Sequence, residues 1–203
     1  MQTLYSMPGA CALAPHIALL WSGRPFNLKV LRANENREIE YLRINPLGSV
    51  PTLLFPDGQV LTEAHAILAY IHRDNPSVFG CHTSDALRDI RLHQTLSFYT
   101  TELHTAFGPH FAPGRYHTDP SEHPTLRIMA YQRMKRLFAL VDDRLAHDHR
   151  KQSTRSVADA YLYVLCRWLD LTPIKIEQMP NLTAFLHAME ADPAVKDALA
   201  AYA

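Results

Sequence analysis

An α/β unit followed by an all-helical region is the fold class that this sequence predicts, and three observations predict it. Short strand patterns alternate with short helical ones over the first third of the chain. The turn Pro56-Asp57-Gly58 joins two apolar runs into a hairpin. Beyond Cys81 no alternating run reappears, and long amphipathic segments take over. Taken in order, residues 2–6 read as a strand. Over residues 12–22 the apolar Leu13, Ile17, Leu20 and Trp21 recur at helical spacing, and Gly23 with Pro25 closes the segment. Residues 26–31 are a second strand, and residues 34–43 are polar and helix-tolerant. Residues 52–55 and 59–61 flank the turn, where proline fixes one dihedral and glycine accepts a positive φ, so they pair antiparallel. Residues 63–73 are helical again, with Ala66, Ile67, Tyr70 and Ile71 on one side, and Asn75-Pro76 ends them.

In the second part Ser84 or Asp85 can cap a helix running towards Phe107, and another helix covers residues 124–147. The stretch between them, residues 109–123, is rich in proline, histidine and aromatics and reads as a loop. Ser156-Val157-Ala158-Asp159 has the spacing of a capping box, in which each side chain satisfies the other's orphan backbone donor, and opens a helix through Trp168. Arg155 ahead of it cannot form a hydrophobic staple, which predicts a looser approach to that helix. Pro180 and Asp192-Pro193 start two short terminal helices. The expected domains are residues 1–77 and 84–203.

Composition excludes several classes of function. With 203 residues and 47% hydrophobic content the chain can bury one good core or two small ones. Twenty Lys and Arg balance twenty Asp and Glu, so no basic surface for nucleic acid is expected. The apolar run 10–21 is interrupted by Pro15 and His16, with no basic residue before Arg24, which fits neither a signal peptide nor a membrane span. Cys11, Cys81 and Cys166 lie far apart, without disulfide-framework or zinc-ligand spacing, and a reducing cytoplasm is the simplest compartment. His147-Asp148-His149 lies in a polar stretch without supporting ligands, so no metal is expected.

Three stretches carry chemistry. Cys11 falls where Gly9 lets a strand turn into a helix, and the unpaired N–H groups there favour an anion, so a thiolate is expected to be stabilised; the alternative is a small buried cysteine. In Asn45-Pro46-Leu47-Gly48-Ser49-Val50-Pro51-Thr52, Pro51 sits at the start of a strand. A cis bond there would turn the Val50 main chain outwards to pair with an extended peptide. At Leu61-Thr62-Glu63-Ala64-His65, the helix N–H groups near Ala64 suit a ligand carboxylate and Glu63 suits an ammonium group. Read more plainly, Thr62 and Glu63 only cap the helix.

The stretches YSMPGACALAPHIAL, NPLGSVPTL and LTEAHAILAYI, followed by LSFYTTELHTAF and SVADAYLYVL, resemble the glutathione transferase superfamily, and among its classes the bacterial beta class most, over nearly the whole chain. The resemblance implies a thioredoxin-like α/β N-terminal domain, an all-α C-terminal domain, glutathione as cosubstrate and a homodimer. It also implies residue roles. Cys11 matches the cysteine beside the glutathione sulfur. Val50, before Pro51, matches the residue whose main chain pairs with the cysteinyl unit. Glu63 and Ala64 match the pair that holds the γ-glutamyl end, with alanine where many relatives carry serine. His104 matches a histidine aimed from the helical domain at the thiol; without the resemblance it would be read as a surface or core residue. Thr105 and Ser97 depart from the basic residue and the asparagine of many relatives. Tyr5 is expected to face the core, and Arg32 or Arg37 could reach the glycyl carboxylate.

The activity so implied is conjugation of the glutathione thiolate to small hydrophobic electrophiles, a detoxifying reaction. The electrophile is expected between Met7 and the aromatic-rich segment holding Phe107, Phe111 and Tyr116. One alternative is monothiol disulfide exchange through Cys11, since Ala14 occupies the second position of a C-x-x-C motif and excludes a dithiol route. Another is a glutathione transferase-like protein that binds without catalysing.

Overall fold

The structure is a computed structural model that describes residues 1–79, 86–147 and 155–202. Strands β1 (Thr3–Ser6), β2 (Asn27–Val30), β3 (Thr52–Leu54) and β4 (Val60–Thr62) form one mixed sheet in the order β2-β1-β3-β4. Helix α1 (Leu13–Ser22) returns the chain so that β2 lies parallel to β1, while β3 runs antiparallel to both β1 and β4. The hairpin register pairs Thr52 with Thr62 and Leu54 with Val60, and Gly58 takes the positive φ (+86°) that its turn requires. The polar stretch after β2 becomes a 3₁₀ turn (Glu35–Arg37) and the short α2 (Ile39–Leu42). Helix α3 (Ala64–Asp74) buries Ile67, Leu68 and Ile71, and α4 (Pro76–Phe79) follows it. The sheet and its helices form the thioredoxin-like unit.

Among the described residues the remainder is helical: α5 (Ala86–Phe98), α6 (Gly108–Phe111), α7 (His123–Ala146), α8 (Val157–Leu169), α9 (Pro180–Ala191) and α10 (Pro193–Ala200). Ser84 and Asp85, expected as caps, lie outside the described residues, as does Cys81. Two expectations are corrected. Residues 109–123 are not an open loop. They hold most of α6 and two 3₁₀ turns, Pro113–Arg115 and Pro120–Glu122, because proline is pre-organised for the first position of a helical turn. The capping box forms, with Ser156 Oγ accepting from the Ala158 N–H (3.2 Å) and Asp159 Oδ2 accepting from the Ser156 N–H (3.0 Å). Yet the approach to α8 is tied rather than loose: Arg155 pairs with Asp192 (2.9 Å) and lies over the Trp21 ring. Asp192 in turn caps α10 by accepting from the Ala194 N–H (2.8 Å).

Helix α8 is the axis of the molecule. Its buried residues include Ala160, Tyr161, Tyr163 and Leu165, and it packs broadly on α1, so one apolar core joins sheet and helices. Beyond α10, Tyr202 Oη lies 2.7 Å from Ser6 Oγ and 3.1 Å from His16 Nδ1, fastening the chain's end to β1 and α1.

The loop ahead of β3 is held close to the segment after β2. Asn36 Nδ2 donates to the Gly48 carbonyl at 2.6 Å. Gly48 has φ +61°, and a Cβ there would stand 2.7 Å from the Asn36 carbonyl oxygen. Gly48→Ala is therefore expected to destabilise the fold by about 1–3 kcal/mol, the scale of a strained backbone. Chemical denaturation of the two proteins measures it; an unchanged midpoint would contradict it.

Candidate active site

The turn between β1 and α1 is built on Gly9, with φ +75°. Helix α1 begins at Leu13 with Ala12 at its cap, so Cys11 stands one residue ahead of the cap, in the turn. Its side chain is 9% exposed, and the Sγ–H faces the Val50 carbonyl at 3.8 Å. Burial pushes the thiol up to about 12, partly offset by a hydrogen bond with its own backbone, and the charge of Glu63 raises it further. The expected stabilised thiolate is thus corrected: in this structure Cys11 is a neutral thiol. Desolvation outweighs the helix terminus, and the group opposite the sulfur accepts a hydrogen rather than donating one.

The Val50–Pro51 bond is cis. The segment leading to it is pinned from behind. Asn45, 2% exposed, donates from Nδ2 to the Ser49 carbonyl (2.9 Å) and to Thr52 Oγ1 (3.0 Å), and Tyr41 Oη donates to the same carbonyl at 2.6 Å. Val50 itself is half-buried, and its N–H meets no acceptor among the described residues. That leaves a main-chain donor beside β3 for an extended ligand.

Glu63 takes the cap position of α3 with a positive φ (+69°) and extended ψ (123°), and its side chain makes no capping hydrogen bond. Simple capping therefore does not explain it. The carboxylate is exposed and forms no ion pair among the described residues, and the first N–H groups of α3 behind it have no side-chain partner. A non-glycine residue held in such a sparsely populated backbone region costs about 1–3 kcal/mol, and residues of this kind cluster at active sites and ligand clamps.

His104 ends a π-helical segment, Tyr99–His104, that continues α5. The wider turn re-aims the side chains that follow it, and such segments are frequent at functional sites. His104 Nδ1 lies 2.7 Å from Tyr161 Oη, and the Trp168 ring meets the imidazole edge-on, centroids 4.8 Å apart. Burial lowers the histidine's pKa, so it is neutral at pH 7.

Two residues of α8 bind this constellation together, and neither was singled out from the sequence. Tyr161 holds His104, and burial, with the nearby Cys11 and Glu63, raises its own pKa. Trp168 donates from Nε1 to the Gly9 carbonyl at 2.9 Å, fixing the turn that carries Cys11. They lie seven residues apart, on one helix face. Aromatic residues at that spacing read as core, and both are also buried; only the polar tips distinguish them.

Residues 9–74 match the model of the glutathione S-transferase N-terminal domain. Over 203 residues the chain is 32% identical to glutathione S-transferase GstA of Escherichia coli O157:H7, a match covering 98% of this chain and 97% of that one. The chain belongs to the glutathione S-transferase family. Two solved structures extend the likeness. A sphingomonad glutathione S-transferase complexed with glutathione is 35% identical, with a TM-score of 0.85 and 98% of each chain covered. A beta class glutathione S-transferase of Sphingomonas chungbukensis is 34% identical, with a TM-score of 0.86 and the same coverage.

In this glutathione S-transferase the residues named from sequence converge, with Cys11 against Val50 and Glu63 within electrostatic reach of both Cys11 and Tyr161. Tyr5 faces the core beside Leu31 and Tyr41, as expected. Arg32 and Arg37 are exposed. The expected electrophile wall is revised. Phe107 is fully buried between Phe138 and Trp168 and cannot line a cavity, whereas Phe111, 47% exposed, stacks on it and meets Trp168 edge-on. A cleft of about 520 Å³ does include Tyr116, with Thr105, Pro109, Met129 and Arg133, but not Met7. Among the described residues no cluster of three or more His, Cys, Asp or Glu could hold a metal ion, and no helix is long and apolar enough to cross a membrane.

Proposed function

We propose that this enzyme binds glutathione through its α/β unit and adds the tripeptide's thiolate to small hydrophobic electrophiles. The observation that carries the reading is the free main-chain donor of Val50, beside a cis proline, together with the unpaired Glu63 and open helix start at Ala64. Those groups match a γ-linked peptide in kind: Glu63 for the ammonium, the Ala64 N–H for the α-carboxylate, and Val50 for the cysteinyl main chain, with Pro51 setting the turn. Glutathione supplies the nucleophilic sulfur. His104 favours its ionised form: the thiol first gives its proton to solvent, and the thiolate then forms the sulfur–carbon bond as any leaving group departs with its electron pair. Cys11, neutral and buried, lines the sulfur's surroundings rather than attacking, because a thiol pushed to about 12 is seldom ionised near pH 7. The exposed Phe111, edge-on to Trp168, supports an apolar electrophile next to His104.

In this reading residues 1–77 bind glutathione, residues 84–203 form the helical domain that supplies His104 and the electrophile side, and two copies pair as a homodimer in the cytoplasm to detoxify reactive compounds. Replacing Cys11 with alanine tests the mechanism. Conjugation measured against a panel of electrophiles is expected to stay within about tenfold of wild type, while glutathione-dependent disulfide exchange disappears. Loss of both would favour disulfide exchange as the native reaction. Tight retention on immobilised glutathione without turnover by the wild type would favour a binding role.

A further inference from the structure

Tyr161 is 1% exposed, and a phenol O–H at that depth requires an acceptor. Among the described residues the partner within reach is His104 Nδ1, at 2.7 Å. A neutral imidazole has one donor and one acceptor nitrogen. Were the proton on Nδ1, that N–H would donate to the phenol oxygen, and the phenol hydrogen would be buried facing nothing. With the proton on the other nitrogen both groups are satisfied. We propose that Tyr161 is a positioning residue: its O–H donates to Nδ1 and holds the His104 proton on Nε2, so that Nε2 donates a hydrogen bond to the glutathione sulfur and cannot act as its base. The inference rests on the glutathione reading above and adds the direction of the hydrogen bond.

Three features support this arrangement. Burial keeps His104 neutral, so the imidazole has a single tautomeric choice to make. The phenol is held protonated by burial and by the charge of the nearby Glu63, so it stays a donor. The imidazole is clamped edge-on by Trp168 and Tyr161, and Trp168 is itself anchored on the Gly9 carbonyl. No bond of Tyr161 or His104 breaks in the reaction; the thiol proton is lost to water, and what the pair contributes is a fixed donor facing the developing anion.

Nitrogen NMR of histidine-labelled wild-type protein without glutathione reads the tautomer directly, with His104→Asn identifying the signal among the 12 histidines. The expected result is an unprotonated Nδ1 and a protonated Nε2. Tyr161→Phe, which keeps the ring, is expected to give a mixture of tautomers, to lower kcat about tenfold and to leave KM for glutathione nearly unchanged. An active wild type with the proton on Nδ1, or a folded Tyr161→Phe protein with the wild-type tautomer and kcat, would overturn the proposal and leave the glutathione reading standing. A wild type that conjugates no electrophile would overturn the reading beneath it, whatever the tautomer.

Discussion

Trp168→Ala is expected to lose about 3–5 kcal/mol of folding stability, the usual cost of deleting a buried indole. Trp168 is 8% exposed and meets Phe107, Phe111 and His104 edge-on, with centroid separations of 5.4, 5.4 and 4.8 Å. The cavity would open near the C-terminal end of α8, among the rings of His104, Phe107 and Phe111, where little can collapse into it. Trp168→Phe separates packing from the polar tip. It keeps an aromatic body and removes the Nε1–H, leaving the Gly9 carbonyl without that donor, at about 1–2 kcal/mol. Urea unfolding of the three proteins gives both numbers. An alanine variant within 1 kcal/mol of wild type would show that Trp168 does not carry the junction.

The second large effect depends on pH. His16 is 3% exposed, and burial lowers its pKa from 6.5 to about 4. The folded protein therefore keeps His16 neutral where the unfolded chain already binds a proton. Stability from this group is complete above about pH 6.5 and falls as pH drops towards 4, below which both states are protonated and the loss levels off. At 1.36 kcal/mol per pKa unit, the loss between pH 7 and pH 4 is about 3 kcal/mol. His16→Phe suits the site, because His16 already packs edge-on against Phe26 and Tyr202, and the Ser6–Tyr202 hydrogen bond can persist without it. The wild type should lose about 3 kcal/mol more than His16→Phe over that interval. Parallel stability profiles would contradict the assignment.

The fold was legible where structure follows from local pattern. Leu13, Ile17 and Trp21 mark α1, Pro56-Asp57-Gly58 marks the hairpin, and Ser156 with Asp159 marks the start of α8, because period, turn chemistry and capping act over a few residues. What escaped depends on contacts distant in sequence. Arg155 looks unanchored until Asp192, 37 residues on, folds beside it. The prolines of residues 109–123 suggest a loop, yet the same residues start helical turns once packed against α7. At the site, Glu63, Val50 and Cys11 drew attention through their places at helix and strand ends, and only the three stretches together pointed to one ligand. The charge state of Cys11 was not, since a helix start argues for a thiolate and only the packed structure reveals the burial that reverses it. Tyr161 and Trp168 stayed hidden among core aromatics, for their hydroxyl and indole N–H acquire partners only when α8 meets the π segment and the β1–α1 turn.

A crystal structure of the wild-type protein soaked with glutathione tests the central claim most directly. The account predicts the γ-glutamyl end on Glu63 and Ala64, the cysteinyl main chain paired with Val50, and the sulfur beside Cys11 and within about 3.5 Å of His104 Nε2. A tripeptide bound elsewhere, or one whose sulfur points away from both Cys11 and His104, would contradict it.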